Sequence, residues 1–386
     1  MRVSLVKVAN YPLFAGLALS FTGLLGAPLY PGFHPEAMLA GAAFAFPTAM
    51  FLLFTSGYKR GGEREGLEGF LAILSMALAT AGLLVSLLEW RFFAPTALAS
   101  LTALLVFSVK QLEGRVRWPH VLLLTLPPAM GAGLSLLAWA GEWGVLKTGL
   151  GFGLYYAAPM ITCVSLLTSS RNYGSSWHPF WVLLPLTPSA LGLALFSLDN
   201  PLFTLASSLH LLTHFASIRL WGARGFWRRL KASKNPFYRK GGTALIASHF
   251  SALLGALVFT LISIELLSPG VHGTVIALIH AAYLGFIAPH IHYHAVTMLP
   301  QITPLKPTRV FLLPALFLWP LATVARLYEP QLGLALVLAA IIGLLAEFKP
   351  PTITAWLRFL ASTCDMPHAC RSPRRSPSSQ APGEPG

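Results

Sequence analysis

The sequence contains few charged residues. Asp, Glu, Lys and Arg together make up 10% of the 386 positions, whereas hydrophobic residues make up 55%. Soluble domains carry about 25% charged residues, so this chain has too few to cover a globular surface in water. The composition therefore excludes an ordinary soluble domain and predicts a protein of the lipid bilayer.

Cysteine is also scarce. The chain has three cysteines, which excludes a disulfide framework. Cys163 falls within an apolar stretch, and Cys364 and Cys370 fall near the C-terminus. The first apolar stretch, which starts near Tyr11, has no small-residue cleavage pattern and leads directly into another. We therefore interpret it as a membrane span and not as a removable signal peptide.

Long apolar stretches recur along the whole chain, and each is long enough to cross a bilayer. Hydropathy and turn residues predict spans near residues 11–29, 37–57, 70–88, 92–109, 121–140, 145–168, 180–197, 201–220, 243–266, 272–298, 310–327 and 332–346. The breaks at 88–92 and 140–145 are short and predict tight helical hairpins. The expected fold is an all-α bundle of about twelve transmembrane helices in a single domain, residues 1–362.

The positions of the basic residues provide an independent test of the span count. With twelve spans, 24 of the 27 Lys and Arg residues fall in one set of alternate loops and termini. Only Arg91, Lys147 and Arg326 fall in the other set. Because cytoplasmic loops carry the excess of basic residues, both termini are predicted to be cytoplasmic.

This sidedness also accounts for the net charge of +14, which in a soluble protein would favour a nucleic-acid partner. We expect no nucleic-acid partner. The expected location is the cell membrane, inner or plasma, with the lipid bilayer as the main partner.

Two segments outside the spans have a distinctive composition. The loop 221–242 contains basic and aromatic residues, namely Trp227, Arg228, Arg229, Lys231, Lys234 and Phe237. It is interpreted either as a patch that binds anionic lipid or as a topology determinant with interfacial aromatic anchors, and we favour the second. Residues 363–386 form a basic segment rich in Ser and Pro, for which we expect a disordered cytoplasmic tail. Cys364, His368 and Cys370 lack a second pair of ligands, which favours an incidental trio over a metal site.

The predicted spans contain very few acidic residues. Glu265 and Glu347 lie near span ends, and no Asp lies in the middle of a span. Proton-coupled and ion-coupled transporters commonly use buried carboxylates, so this absence counts against that class.

Histidine, in contrast, is frequent in the spans. Of the twelve histidines in the chain, eight lie in spans or at their edges: His34, His210, His214, His249, His280, His290, His292 and His294. A lone membrane histidine usually hydrogen-bonds a neighbouring helix. A neutral imidazole costs less to bury than a charge and is the commonest protein ligand for haem, copper and zinc. Eight such residues favour a ligand set.

The spacing of these histidines places several of them together. Two pairs are four residues apart and share a helix face: His210 with His214, and His290 with His294. His280 lies about four helical turns before His294, on roughly the same face, whereas His292 is turned about 200° from His290. Pro289 predicts a kink beside this cluster.

The depths of the histidines can be compared with a rise of about 1.5 Å per residue. His210 then lies near the midplane of the bilayer. His214, His249 and His290 each lie about 6–9 Å to its cytoplasmic side. Three helices are therefore predicted to present imidazoles at one level, which suits haem or copper.

Two motifs resemble the NnrS family, twelve-helix membrane proteins that contain haem and copper and are linked to denitrification and nitric oxide. The family has a His-x-His-Glu-Met-x-x-Gly signature near its second span. This chain has His34-Pro35-Glu36-Ala37-Met38-Leu39-Ala40-Gly41, which retains the first His, the Met and the Gly. Near the tenth span, the sequence His280-Ala281-Ala282-Tyr283-Leu284-Gly285 matches the family's His-Ala followed by Gly.

The resemblance implies that His34 and His280 are cofactor ligands. The chain departs from the family where Glu36 and Ala37 replace a His and a Glu, and where His290, His292 and His294 stand in place of a Gly-His-Thr-Gly-Arg run. The candidate cofactor-binding residues are His34, His210, His214, His249, His280, His290 and His294. Those considered for a metal ion are His34, His280, His290 and His294.

The leading hypothesis is a membrane protein that contains haem, or haem and copper, and that binds or responds to nitric oxide or a related diatomic gas. A neutral gas partitions into the bilayer and needs no charged pathway. Whether the chain is an enzyme stays open, because a reductase needs electron and proton delivery and the sequence has no c-type haem motif. The alternatives are a secondary transporter, and an assembly or scaffold factor for a respiratory or denitrification enzyme.

Overall fold

The computed structural model describes residues 3–26, 32–56, 63–113, 119–173, 179–218, 236–266, 274–308, 313–349 and 352–355. Most of these residues are helical. The basic loop up to residue 235 and the tail 363–386, with Cys364, His368 and Cys370, lie outside the described residues.

We label the main helices α1 to α12 in chain order. They are α1 Leu5–Gly26, α2 (Phe33–Met38, Leu39–Ala45 and Phe46–Ser56), α3 Gly66–Leu88, α4 Phe93–Leu112, α5 His120–Ala140, α6 (Val145–Phe152, Gly153–Ala157 and Ala158–Tyr173), α7 Pro179–Ser197, α8 Phe203–Ser217, α9 Pro236–Leu266, α10 (Thr274–His280, Ala281–Ile287 and Ala288–Ile302), α11 Leu313–Tyr328 and α12 Pro330–Ala346.

Four two-residue strands form two antiparallel pairs at the ends of helices. β1, Val3–Ser4, pairs antiparallel with β2, Glu63–Arg64. β3, Lys306–Pro307, pairs antiparallel with β4, Phe348–Lys349. The first pair lies just before α1 and α3, and the second lies after α10 and α12.

Nine helices within the described ranges are long and apolar enough to cross a membrane: α1 to α7, α9 and α10. The described parts of α8, α11 and α12 are shorter, and α12 is apolar over 17 residues. Every predicted span overlaps one of the twelve helices, although the boundaries differ by several residues. The helix α2 begins at Phe33, so His34 lies in its first turn.

Burial separates the central helices from the peripheral ones. The apolar windows of α6 and α2 are 94% and 83% buried, whereas those of α1 and α7 are only 39% buried. The outward faces of the peripheral helices expose large apolar side chains such as Leu84, Leu191 and Leu261. Such faces suit contact with lipid tails, so α2 and α6 form the centre of the bundle.

The three central π-helical segments have a common sequence cause. Leu39–Ala45, Gly153–Ala157 and Ala281–Ile287 are π-helical, and each ends two residues before a proline: Pro47, Pro159 and Pro289. A proline has no N–H for the carbonyl four residues earlier, and its ring crowds that carbonyl. The helix widens ahead of each proline as a result, and the segment of α6 contacts the other two.

The helices α9 and α10 cross at a contact between two glycines. A Cβ atom on Gly255 would lie 2.0 Å from the carbonyl oxygen of Gly285, and a Cβ on Gly285 would lie 2.8 Å from the Cα of Gly255. Only glycine lets the two backbones come this close. This crossing fixes the distance between the two helices near His249, six residues before Gly255, and His290, five residues after Gly285.

Candidate metal centre

Three helices bring His214, His249 and His290 together in the interior of the bundle. One ring nitrogen of each residue lies within 4.8 Å of the corresponding nitrogen of the other two, an arrangement able to hold a metal ion. The ring centroids of His214 and His290 are 5.2 Å apart, those of His249 and His290 are 5.1 Å apart, and those of His214 and His249 are 6.0 Å apart. We call these three residues the His cluster.

Each member of the His cluster comes from a different helix. His214 lies in the last turn of α8, and His249 lies in α9, six residues before Gly255. His290 follows Pro289 in α10, directly after the π-helical segment. The glycine crossing sets the distance between α9 and α10, and the π-helical turn changes the direction in which the side chain of His290 leaves its helix.

All three imidazoles are buried. The exposed fraction is 0% for His214, 5% for His249 and 0% for His290. The ring of Phe286 lies 5.2 Å from that of His214 and 4.9 Å from that of His290, and Phe215 packs edge-on against His249. Apolar surroundings of this kind favour neutral imidazole over its cation.

The hydrogen bonds of His249 and His290 determine their tautomers. The Nδ1 atom of His249 lies 2.7 Å from the carbonyl oxygen of Leu245, and that of His290 lies 2.8 Å from the carbonyl oxygen of Phe286. A carbonyl oxygen only accepts, so both Nδ1 atoms carry the proton and donate it. In a neutral ring the other nitrogen, Nε2, then has a free lone pair.

His214 has the same tautomer, because of Thr162. The hydroxyl of Thr162 donates its single proton to the carbonyl oxygen of Ala158 at 3.0 Å. The same oxygen lies 3.0 Å from Nδ1 of His214, so it accepts the proton of that nitrogen. Nε2 of His214 therefore also has a free lone pair.

The Nε2 atoms of His214 and His290 have no hydrogen-bond partner among the described residues, although both are buried. Buried polar atoms are normally paired, and an unpaired one costs about 1–3 kcal/mol. A metal ion would use these lone pairs. Histidine ligands usually donate their second ring nitrogen to an oxygen, as all three members of the His cluster do. The residues present therefore fit a metal ion.

The remaining predicted histidines near this site lie outside the His cluster. His210, one turn before His214, donates from Nδ1 to the carbonyl oxygen of Pro185 at 2.7 Å. The ring of His294 packs against Phe54, at 5.4 Å between centroids. The spacing predicted that His290 shares a helix face with His294, and the depths predicted His214, His249 and His290 at one level. The structure brings the latter three together.

His34 and His280 face a separate, partly open cavity of about 550 Å³ between α1, α2, α6, α10, α11 and α12. His34 donates from Nδ1 to the carbonyl oxygen of Gly23 at 3.2 Å, and His280 donates to that of Ile276 at 2.7 Å. Both rings therefore have the same tautomer as the His cluster. The walls are mostly apolar, and Arg326 lies at the cavity as well.

His292 lines the same cavity but has the opposite tautomer. The indole N–H of Trp319, which only donates, lies 3.1 Å from Nδ1 of His292. Nδ1 therefore accepts, and a neutral His292 ring carries its proton on Nε2. Nε2 of His292 has no hydrogen-bond partner among the described residues, and because it carries the proton it offers no lone pair to a metal ion.

Sequence reasoning missed two residues of these sites, Thr162 and Trp319. Both lie in predicted spans and act through a hydrogen bond to a histidine from another helix. No local sequence signal marks such a contact. The spacing and depth of the histidines predicted that His214, His249 and His290 lie at one level, but the partners of their Nδ1 atoms depend on how the helices pack.

The fold and the site define the class of this chain. It is a multi-pass membrane protein whose apolar helices enclose a buried cluster of three histidines. Comparisons with models of protein families, with curated proteins and with solved structures find no match for the chain.

Proposed function

We propose that this chain is a membrane metalloprotein that holds copper at the His cluster and haem in the neighbouring cavity. In this proposal it binds or responds to nitric oxide or a related diatomic gas. One observation carries it, the convergence of one ring nitrogen from each of three buried histidines to within 4.8 Å of one another. Imidazole nitrogens are ligands that copper accepts readily, and three of them leave room for a gas molecule.

Haem fits the cavity better than it fits the His cluster. In the cluster the Phe286 and Phe215 rings pack against the imidazoles, and a macrocycle would displace them. His34 and His280, in contrast, line a partly open cavity of about 550 Å³. Both have Nε2 lone pairs available for an iron ion, and Arg326 would pair with a haem carboxylate. Bound there, haem would supply one-electron redox chemistry and a second site for a gas.

The surroundings of the His cluster suit a small uncharged ligand. Nitric oxide is neutral and dissolves in the hydrocarbon core, so it reaches a buried site without a charged pathway. The Asp and Glu residues of the described ranges lie in turns or within about one turn of a helix end. This arrangement supports gas binding over transport of an ion through a carboxylate-lined path.

The topology belongs to the same proposal. We infer twelve transmembrane helices, with α8, α11 and α12 completing the set, and both termini in the cytoplasm of a cell membrane, inner or plasma. The support is the coincidence of every predicted span with a helix, together with the one-sided distribution of basic residues. A respiratory or denitrification enzyme is the proposed partner.

Metal analysis and an optical spectrum of the detergent-purified protein test the function. We expect about one copper per chain and a haem absorption band in the Soret region, with a spectral change on addition of nitric oxide. His249→Ala and His290→Ala should lose copper and keep haem, whereas His34→Ala and His280→Ala should lose haem and keep copper. The variant His210→Ala, outside both sites, should keep both.

Two outcomes would contradict the proposal. Colourless, metal-free protein with substrate-dependent uptake into vesicles would instead favour a secondary transporter. Haem that is bound and then released to another enzyme, without any response to nitric oxide, would favour an assembly factor.

A further inference from the structure

The His cluster contributes no negative charge to a bound metal. Its three members are uncharged rings whose Nδ1 protons are held by oxygen atoms of Thr162, Leu245 and Phe286. The metal-binding group found in the described residues consists of these histidines alone. The net charge of the loaded site is therefore the charge of the metal ion itself.

We propose that the His cluster holds copper as the monovalent ion Cu(I), in preference to Cu(II) or Zn(II). This inference rests on the proposed function and goes beyond it by naming the ion and its oxidation state.

The energy of a buried charge favours the monovalent ion. The free energy of transferring an ion from water to a medium of low dielectric constant rises with the square of its charge. This transfer free energy is therefore about four times larger for a divalent ion than for a monovalent one. Proteins usually offset this cost with carboxylate or thiolate ligands, as at most zinc sites. In the described part of this chain, the His cluster contains no carboxylate or thiolate ligand. Apolar rings surround the cluster instead.

The number of ligands favours the same ion. A catalytic Zn(II) with three protein ligands normally completes a tetrahedron with water. Phe286 and Phe215 pack against the His cluster, and their rings offer neither a ligand nor a hydrogen bond to a water molecule. Cu(I), with its filled d shell, accepts two or three ligands and needs no water.

The monovalent state also agrees with a gas ligand. Cu(I) donates d electrons into the empty π* orbitals of nitric oxide or carbon monoxide, and Zn(II) does not bind these gases in this way. A Cu(I) site in the hydrocarbon region would therefore bind a neutral gas and discriminate against water and anions. The rings of Phe286 and Phe215 would exclude water and anions from the site.

Metal competition with the purified full-length protein tests the proposal. The protein is loaded without oxygen with Cu(I), and separately with Cu(II) and Zn(II), against chromophoric chelators of known affinity. We expect Cu(I) to bind at least about 100-fold more tightly than Zn(II), because one additional buried charge costs several kcal/mol. X-ray absorption should show a three-coordinate Cu(I) with nitrogen ligands, and carbon monoxide should give an infrared band from a copper carbonyl.

A carboxylate variant tests the physical cause. His290→Asp replaces a neutral ligand with an anionic one, and we expect the preference to shift toward Zn(II) by about 100-fold. The matched control is His120→Asp in the first turn of α5, outside both the His cluster and the cavity, which should not change the preference. The competition on the unsubstituted protein decides the question even if a variant fails to fold.

Different results separate this inference from the proposed function. Binding of Zn(II) or Cu(II) as tight as that of Cu(I) would overturn the Cu(I) assignment and leave a metal site in place. Failure of every metal to bind would overturn both proposals.

Discussion

The histidines of this protein differ in which ring nitrogen carries the proton. His214, His249 and His290 donate from Nδ1 and keep a lone pair on Nε2. His292 accepts at Nδ1 from Trp319 and keeps a proton on Nε2. The same residue type thereby offers a lone pair at Nε2 in one place and a proton at Nε2 in another. The neighbouring side chain or carbonyl decides which.

Thr162 holds His214 in the tautomer that a metal requires. We expect Thr162→Val to lower metal affinity at the His cluster by about 10–100-fold, because it removes the oxygen that accepts the Nδ1 proton. Chelator competition measures this change. The matched control is Thr213→Val on α8, whose hydroxyl bonds only to carbonyl oxygens of its own helix. Unchanged affinity in Thr162→Val would show that Thr162 does not orient the ring.

At the scale of helices, prolines and glycines produce the site. Each π-helical segment ends two residues before a proline, and the segment in α10 contains Gly285 of the glycine crossing and ends three residues before His290. The sequence predicts a kink at Pro289. The widening of the helix depends on the packing around it, since many prolines in helices, including Pro127 and Pro185, lie in regular α-helix.

The crossing of α9 and α10 has no space for a side chain. We expect Gly285→Ala to destabilise the protein by about 1–3 kcal/mol and to weaken metal binding, since the added Cβ would separate His249 from His290. Thermal unfolding in detergent and chelator competition measure the two effects. The control is Gly133→Ala on α5, where no atom lies within 4 Å of the added Cβ. Equal effects in the two variants would contradict a special role for the crossing.

The bundle as a whole separates its most buried helices from a lipid-facing surface. The apolar windows of α6 and α2 are almost entirely enclosed, and the large apolar side chains exposed on α3, α7 and α9 point outward. Basic residues concentrate in alternate loops of the sequence. Together these features predict an orientation of the chain across the membrane that is open to direct measurement.

Reporter fusions check that orientation. An even number of spans puts both termini on one side, and the excess of basic residues puts that side in the cytoplasm. We expect a reporter active only in the cytoplasm to work at either terminus. It should be inactive when inserted at the turn between α5 and α6, near Glu142. Activity at only one terminus would show that the span count is odd and would require a different assignment of α8, α11 or α12.

Much of the fold could be read from the sequence, because the bilayer restricts the choices. A long apolar stretch in lipid must form a helix, so α1 to α12 appear where hydropathy predicts them. The depths of His214, His249 and His290 follow from the rise per residue. His34 and His280 were selected by their motifs, and the structure places both at one cavity.

The remaining features required the tertiary structure, because they depend on contacts between residues far apart in the chain. The sequence alone determined the apolar helices, their approximate ends and the level of each imidazole, since these follow from local composition and helix geometry. Only the packing decided that His290 faces His214 and His249 and not His294. It also placed Thr162 against His214 and Trp319 against His292, where each determines the tautomer of the imidazole. A hydrogen bond between helices has no local signature, because its partners become neighbours only when the backbones approach each other.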